Sequence, residues 1–349
     1  MKSLLLIDGC LLFDNSALEK LQLCPVEYLI TQVAKRVASG HSAGANFGSA
    51  CHLALKTRYL AYDNNIVEDD TTMREVVAQH FTDNPEPAGD YRNFDLASAF
   101  ITAYNHIYPR EPFHILNTQD GKLFVERSFM SPFGTAFWQE QAEKWTVNLV
   151  SQISNASEWA TTIKLQGGIP IFYTGRIDLG IEDNEGQWVM DHKSTFQFGQ
   201  NNDSELLIMP QTRGYMWEFR NYYGQLPAGY IINSFRVRKP CKDSEFDDSK
   251  KFDSKDFKRT VVNVPSYEIE EWQSNTGKLI ELFFYYWKTE FPRYRTNCVR
   301  KYGACQFYDL CKLPIAQRPE YLASTLFTPN TWTALNEPIK NPPINITKK

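Results

Sequence analysis

Long apolar segments are lacking in this 349-residue chain, since no run approaches the ~20 apolar residues that a membrane-spanning helix needs. The short Leu-rich run at the start meets Asp8 too early to form the apolar core of a signal peptide. We therefore expect the seven cysteines to lie in a reducing compartment, the cytoplasm, where thiols stay free or bind metals instead of forming disulfides.

A surplus of positive charge is lacking as well. Lys and Arg number 37 against 41 Asp and Glu, and the formal charge of −4 argues against a protein that coats nucleic acid non-specifically, although it is compatible with a local basic channel. No internal repeat and no G-x-x-x-x-G-K-[ST] loop is present, which excludes a solenoid and a built-in ATP motor. With 42% hydrophobic and 14% aromatic residues, the chain is expected to fold into two domains or one large domain with additions.

The order of predicted elements indicates a mixed α/β core with helical additions, because helices come first, strands with an intervening helix follow, and a helix comes last. Predicted helices cover residues 15–60, where Asn15 and Ser16 offer a cap, and residues 73–81, 96–108, 209–223 and 266–291. Predicted strands cover residues 123–125, 169–181, 187–193 and 229–238. We expect a charged loop over 239–260 and an irregular tail over 316–349.

One predicted hairpin carries side chains that suit phosphate chemistry. An Asp/Asn/Gly turn at 182–186 separates a strand with Asp178 from a strand with Asp191 and Lys193. Strand alternation places Asp191 and Lys193 on one face, and it turns Asp178 away from the buried face of its strand. Two carboxylates suit Mg²⁺ or Mn²⁺, and a nearby ammonium can orient a water or neutralise charge on a phosphate. The alternative is an ordinary exposed Asp–Lys pair.

Two further features favour the first interpretation. His52 follows Gly48 in a G-x-x-x-H pattern, and Gln211 and Tyr215 share one face of the next predicted helix. Taken singly, each is more typical of a structural or surface residue. The ordered set of G-x-x-x-H, G-x-x-D, a hairpin, D-x-K and Q-x-x-x-Y points to a catalytic site.

On these residues the chain resembles the RecB-like branch of the PD-(D/E)xK nuclease superfamily. The resemblance implies a restriction-endonuclease-like α/β core, with a central mixed sheet flanked by helices, and metal-dependent hydrolysis of phosphodiester bonds. Asp191 stands where Glu is more usual, and the family accepts both. Glu126 is either an accessory group of the site or a surface carboxylate.

The resemblance also implies roles for the motif residues. It implies a divalent metal, Mg²⁺ or Mn²⁺, held by His52, Asp178, Asp191 and the backbone carbonyl of His192. Catalysis is implied for Lys193 together with the two aspartates. Gln211 and Tyr215 are implied to line the DNA-binding site.

Four cysteines near the two ends of the chain suggest a metal cluster. Cys298, Cys305 and Cys311 are separated by six and five residues, Cys24 lies far upstream, and no C-x-x-C pair is present. A Cys₄ iron–sulfur cluster accepts such irregular spacing better than a zinc knuckle does, and buried or incidental cysteines are the plain alternative.

Iron–sulfur members of the resembled family, of the AddB and CRISPR-associated exonuclease type, carry one cluster cysteine before the nuclease core and three after it. The resemblance thus implies a structural [4Fe–4S] cluster that joins the two ends of the chain on Cys24, Cys298, Cys305 and Cys311. The first two C-terminal cysteines are farther apart here than is common in the family, so Zn²⁺ is the alternative occupant. Cys10, Cys51 and Cys241 are expected to be free thiols.

Local basic segments offer an acidic chain a way to hold DNA. Arg293, Arg295 and Arg300 lie among aromatic residues near the C-terminal cysteines, and a second basic run covers 236–239. Cations for phosphates and aromatic rings for bases suit single-stranded DNA, and a solvated surface is the alternative. Family members thread a strand end through a narrow passage, so the resemblance implies exonuclease activity.

Together these expectations describe a metal-dependent DNA exonuclease with a structural [4Fe–4S] cluster, acting on single-stranded ends in a prokaryotic or phage-infected cell. A helicase or recombination protein would be a separate partner, and no membrane is involved. The alternatives are a non-catalytic DNA- or protein-binding subunit of a recombination or phage complex, and a zinc protein. The expected segments are a helical N-terminal region (1–110), a nuclease core (111–260), a helix with the cysteine-rich segment (261–315) and the tail (316–349).

Overall fold

The structure, a computed structural model, describes residues 8–39, 43–62, 70–86, 88–150, 153–199, 204–205, 207–239, 251–300 and 303–329. The chain forms two compact units, each assembled from separate stretches of sequence. The first unit comprises Met1–Gly40, Ser128–Arg176 and Tyr267–Lys349, and the second comprises His41–Arg127 and Ile177–Ser266. Among the described helices, none is both long and apolar enough to cross a membrane.

The elements have the following bounds. The strands are β1 (Leu11–Phe13), β2 (Arg36–Ala38), β3 (His114–Ile115), β4 (Val125–Gln139), β5 (Lys144–Leu149), β6 (Ile169–Asp183), β7 (Gly186–Thr195), β8 (Gly229–Arg236), β9 (Phe257–Val262), β10 (Val299–Arg300), β11 (Gly303–Ala304) and β12 (Phe327–Pro329). The α-helices are α1 (Asn15–Leu23), α2 (Pro25–Tyr28), α3 (Ala43–Ala61), α4 (Asp70–Asp83), α5 (Phe94–Ile107), α6 (Ala156–Leu165), α7 (Pro210–Tyr223), α8 (Ser266–Lys288), α9 (Tyr308–Lys312) and α10 (Arg318–Leu322). A π-helical turn covers Leu29–Val33.

The second unit contains a mixed sheet with helices packed on it, which confirms the expected α/β class. Its strand order is β6-β7-β8-β9, with β6 and β7 antiparallel, β7 and β8 parallel, and β8 and β9 antiparallel. The parallel pair sets Asp191 opposite Ile232 and Lys193 opposite Ser234. Parallel neighbours need a crossover connection, and α7 supplies it between β7 and β8.

The core of this unit lies between the sheet and the helices α3, α4 and α5. Phe47 and Leu55 of α3, Phe100 of α5, Leu179 of β6 and Met190 of β7 belong to one apolar cluster, and each is at most 1% exposed. This packing brings α3 against β7. A polar residue of α3 that faces the sheet therefore lies beside the β6–β7 hairpin.

The first unit contains the other half of β6, with the strand order β5-β4-β6, and β1 pairs with β6 in parallel. Its N- and C-terminal segments are joined by hydrogen bonds. β12 is antiparallel to β2, with Phe327 opposite Ala38, and the Ala38 N–H donates to Oε1 of Gln306 at 3.0 Å.

The expected helical content of residues 15–60 is only partly present. α1 ends at Leu23 because Cys24 is extended, with φ at −160°, and Pro25, which has no N–H to donate, begins a new helix. β2 then intervenes before α3. The cap of α1 is Asp14, whose carboxylate accepts from the N–H of Ala17 at 2.7 Å, so the cap lies one residue before the predicted Asn–Ser pair.

Two stretches expected to be irregular contain regular elements. β9 begins inside the expected loop over 239–260 and continues beyond it, and α10 and β12 lie inside the expected tail, so both expectations are wrong for these residues. The strands β9 and β12 pair with β8 and β2, which lie far away in sequence, and a local pattern does not reveal such partners. Residues 240–250 and 330–349 lie outside the described residues.

Candidate active site

Three potential metal ligands meet in the second unit. His52 comes from α3, Glu126 from β4 and Asp178 from β6. Nδ1 of His52 lies 3.4 Å from Oδ2 of Asp178 and 3.6 Å from Oε1 of Glu126. One ligand atom from each residue lies within 4.8 Å of the other two, which is compact enough for a single cation. We call these three residues the ligand group.

Glu126 joins this group with a strained backbone. Its φ is +48°, in the left-handed region, which costs a residue with a Cβ about 1–2 kcal/mol. The residue is also buried, with 8% of its surface exposed. Backbone strain of this kind is concentrated at functional sites, where the surrounding structure enforces it. The interpretation of Glu126 as a surface carboxylate is therefore wrong.

The two aspartates of the hairpin are buried, with 6% of Asp178 and 2% of Asp191 exposed. The alternation of β6 separates Asp178 from the apolar face, as expected, but both faces of this strand are covered. Burial raises the pKa of Asp178. The nearby His52 opposes this upward shift, and Glu126 adds to it. Burial also raises the pKa of Asp191 to about 6, against the opposing effect of Lys193.

His52 reports how strongly the site attracts positive charge. Burial by itself lowers the pKa of His52, but Asp178 and Glu126 more than offset this and raise it to about 9. A pair of buried carboxylates with this effect on an imidazole favours a cation. Carboxylate oxygens suit Mg²⁺ and Mn²⁺, and an imidazole nitrogen extends the range to other transition metals. The ligand group therefore fits a divalent cation.

A second set of contacts surrounds Lys193. Its Nζ lies 2.7 Å from Oδ2 of Asp191 and donates to Oε1 of Gln211 at 3.1 Å, while Nε2 of Gln211 donates to Oδ1 of Asp191 at 3.1 Å. The orientation of the amide is unambiguous, because an ammonium only donates and a carboxylate only accepts. We call these three residues the lysine group. Gln211, implied by the resemblance to line the DNA site, here holds the Asp–Lys pair, and Tyr215 is buried one turn later.

Asp191 and His192 differ from the ligand set that the resemblance implies. Asp191 belongs to the lysine group and lies outside the compact ligand group, yet it is near enough to raise the pKa of His52. The backbone N–H of His192 donates to Oδ2 of Asp178 at 2.7 Å and so ties β7 to β6. Its ring stacks on Tyr59 and is buried. A metal contact through the His192 carbonyl stays a prediction.

The predicted DNA-binding arginines of the first unit have different surroundings. Arg293 donates to the carbonyl of Cys311 at 2.6 Å, and Arg295 is exposed. The side chain of Arg300 lies outside the described part of the structure. Their role in binding DNA stays a prediction.

The basic run at 236–239 in the second unit is largely engaged within the protein. Arg236 and Arg238 lie 2.7 Å and 2.8 Å from the carboxylate of Asp256, which is fully buried. These guanidinium groups neutralise a buried acid, so the run offers less positive charge to DNA than the sequence suggests.

The four candidate cluster cysteines lie in one region of the first unit. The Cys305 N–H donates to the carbonyl of Cys298 at 2.8 Å, and Asn297 donates to the carbonyl that precedes Cys24. Burial raises the pKa of the Cys311 thiol, and Cys24 and Cys298 are close enough to raise it further. No three of these sulfur atoms lie within 4.8 Å of one another. Among the described residues, the ligand group is the set of potential metal ligands that meets this distance.

Comparison with known proteins agrees with this geometry. A family model of the PD-(D/E)XK nuclease superfamily matches residues 15–312, a range that includes the ligand group, the lysine group and the four cysteines. A search of curated proteins finds no match. The family match covers most of the chain, and the chain belongs to the PD-(D/E)XK nuclease superfamily.

Proposed function

We propose that this protein is a divalent-metal-dependent DNA exonuclease that acts on single-stranded ends. Membership of the superfamily indicates a metal-dependent nuclease with nucleic acid as its substrate. The observation that carries the proposal is the meeting of the ligand group and the lysine group at one hairpin. Asp178 belongs to the first, Lys193 belongs to the second, and each acts on the ionisation of the other.

In this proposal the ligand group holds Mg²⁺ or Mn²⁺, with Asp191 as a further ligand. The bound ion supplies Lewis-acid polarisation of the phosphate and a more acidic water. Burial lowers the pKa of Lys193, but Asp191 and Asp178 more than offset this, so the net shift is upward and the ammonium form is favoured. Lys193 can then donate a hydrogen bond to the attacking water and stabilise negative charge on the phosphate. Gln211 keeps Nζ in place.

Degradation of end-labelled DNA with Mg²⁺ or Mn²⁺ tests the nuclease. We expect Lys193→Ala to lose roughly 100-fold or more in rate, as is typical when one group that stabilises a transition state is removed. Lys122→Ala is the matched control, because Lys122 pairs with Asp120 on the surface, and it should keep full activity. Full activity of K193A would contradict the proposal. Binding of DNA without cleavage with either metal would favour the non-catalytic subunit.

The exonuclease assignment has its own test. Linear and circular single-stranded DNA of the same sequence differ only in having ends. We expect rapid loss of the linear form and survival of the circular form. Equal cleavage of both forms would show an endonuclease and would overturn this part of the proposal while leaving the metal site untouched.

We also propose that Cys24, Cys298, Cys305 and Cys311 hold a [4Fe–4S] cluster with a structural role. Burial and the neighbouring Cys24 raise the pKa of the Cys311 thiol, and the guanidinium groups of Arg318 and Arg293 oppose this only in part, so a bound metal would have to displace the thiol proton. A single Zn²⁺ with sulfur at about 2.3 Å in a tetrahedron needs the sulfurs within roughly 4 Å of one another. The present arrangement is looser than that, which suits a cluster whose ligands are spread over several iron atoms.

Purification without oxygen, with analysis of iron, sulfide and zinc, tests the cluster. We expect a brown protein that contains iron and sulfide, and we expect Cys24→Ser to lose the colour. Cys10→Ser is the control, because Cys10 packs in a separate apolar cluster and should leave the colour unchanged. A colourless protein with one zinc per chain would establish the alternative.

Duplex unwinding requires a separate helicase or recombination partner in this proposal, because the chain has no phosphate-binding loop of its own. We expect duplex DNA to be degraded slowly by the protein alone and faster when an ATP-driven helicase opens it. A rate on duplex DNA that equals the rate on single strands, with no helicase present, would remove the need for such a partner.

A further inference from the structure

His192 lies between Asp191 and Lys193 on β7, but its ring has no part in the proposed chemistry. The residue is 2% exposed. Its ring stacks on Tyr59 with centroids 5.8 Å apart and planes 5° from parallel, and its Nδ1 lies 2.9 Å from Nδ2 of Asn233. A polar ring held on two sides and flanked by Asp191 and Lys193 calls for an explanation that packing alone does not supply.

The hydrogen bonds of Asn233 fix the state of the His192 ring. Nε of Arg259 approaches one end of the Asn233 amide at 3.4 Å, and a guanidinium can only donate, so this end is the oxygen. The NH₂ end therefore faces His192 and also the hydroxyl of Tyr104, at 2.8 Å. Nδ1 of His192 must accept, which leaves the ring proton on Nε2.

The hydrogen bonds farther from the His192 ring also have one defined donor and acceptor each. The Tyr104 hydroxyl accepts hydrogen bonds from Asn233 and Arg259, so it donates its own hydrogen bond to the Tyr59 oxygen, 2.8 Å away. Tyr59 in turn donates to Oε1 of Glu111 at 2.8 Å. Arg259 closes the network on both oxygens of Glu111, at 2.7 Å and 2.9 Å.

This network is buried, so each of its polar groups needs a hydrogen-bond partner within the protein. Glu111 is 5% exposed and Asn233 is 1% exposed, so a partner removed from either leaves a polar group without water to replace it. A buried network with one consistent direction has few alternative arrangements. It can therefore hold the His192 ring in one position.

We propose that Asn233 and Tyr59 are positioning residues for the nuclease site, and that they act through the His192 ring. The ring fixes the backbone of β7 at the residue whose N–H binds Asp178 and whose two neighbours are Asp191 and Lys193. Residues that orient metal ligands from behind typically change metal affinity by about 10- to 100-fold when they are replaced. The inference rests on the proposed nuclease function and assigns the support of its metal site.

Binding of Mn²⁺ to the DNA-free protein, measured by calorimetry, tests the inference together with cleavage rates and thermal unfolding. Asn233→Leu removes the donors at nearly constant size, and His192→Phe keeps the stacking on Tyr59 but removes Nδ1. We expect the folded variants to bind Mn²⁺ roughly tenfold more weakly than wild type.

His80→Phe is the matched control. His80 makes a similar contact, from Nε2 to Oδ1 of Asn46 at 2.8 Å, on α4. We expect this variant to lose stability and to bind Mn²⁺ within twofold of wild type.

Each outcome decides the inference. Unchanged Mn²⁺ affinity in either folded variant at position 192 or 233, with a lower unfolding temperature, would reduce the network to a structural role and overturn it. Weaker Mn²⁺ binding in the variants of a wild type that cleaves no DNA would support the positioning role and overturn the nuclease proposal. A wild type that binds no Mn²⁺ would overturn both.

Discussion

Two roles for Gln211 predict different effects of its replacement on kcat and KM. The family resemblance implies that this residue lines the DNA-binding site, whereas the structure shows it bridging Asp191 and Lys193. Gln211→Leu removes both hydrogen bonds and replaces the amide by a branched apolar side chain that is one atom shorter. A residue that contacts DNA equally in the bound and transition states changes KM, and one that aligns catalytic groups changes kcat.

The expected size follows from the contacts. Each lost hydrogen bond has a charged partner and is worth about 1.5–3 kcal/mol. Asp191 and Lys193 still contact each other directly at 2.7 Å, which retains part of this stabilisation. A net loss of about 2 kcal/mol in holding the aligned pair corresponds to about 30-fold, since about 1.4 kcal/mol is a factor of ten. We therefore expect Q211L to lower kcat by between tenfold and 100-fold with KM within threefold of wild type.

Steady-state cleavage of labelled single-stranded DNA measures both constants. Gln79→Leu is the matched control, because Gln79 donates to Asp83 at 2.8 Å on the exposed face of α4, and its kcat and KM should equal those of wild type. A tenfold rise in KM with unchanged kcat would refute the reasoning and place Gln211 against DNA.

Two further predictions concern stability. Asp256→Asn leaves two guanidinium groups without their buried anion and should lower the free energy of unfolding in urea by about 2–3 kcal/mol, less than for a fully buried pair because the arginines are part-exposed. Asp253→Asn, at the exposed end of the same loop, should lower it by under about 1 kcal/mol. Equal losses in the two variants would contradict the role of Asp256. Gly180→Ala places a Cβ 2.9 Å from the buried ring of Phe124 and should destabilise the protein by about 1–3 kcal/mol. Gly199→Ala is the control, because its Cβ meets open space. An unfolding midpoint for G180A at or above that of wild type would show that the Phe124 ring moves aside without cost.

The hairpin and its neighbours could be predicted from sequence because their determinants are local. Alternation, an Asp/Asn/Gly turn and a helical crossover place Asp178, Asp191 and Lys193 near one another, and the structure does bring them together. The left-handed backbone of Glu126 has no local signal, because a glutamate in a strand-like segment gives no indication of positive φ. Its place in the ligand group emerges only when α3, β4 and β6 are assembled.

The partners of the basic residues escape sequence reasoning for a related reason. Arg236 and Arg238 read as cations for DNA because their buried anion, Asp256, lies in a stretch that looks like a charged loop. That stretch contains the start of β9, whose conformation depends on pairing with β8. Asn233 is similar, since nothing nearby in sequence indicates that its amide meets Arg259, Tyr104 and His192.

The charge balance of the site explains how an acidic chain can act on a polyanion. The ligand and lysine groups together hold three carboxylates, while Lys193 is an ammonium and His52, with its pKa raised to about 9, is an imidazolium when no other cation is bound. That sum is −1, which repels a phosphate. With a divalent cation held by the ligand group, His52 would have to be neutral, because a ligand nitrogen cannot carry its proton, and the sum would be zero. Local attraction for a phosphate would then depend on the bound metal and on Lys193, and not on the net charge of the chain.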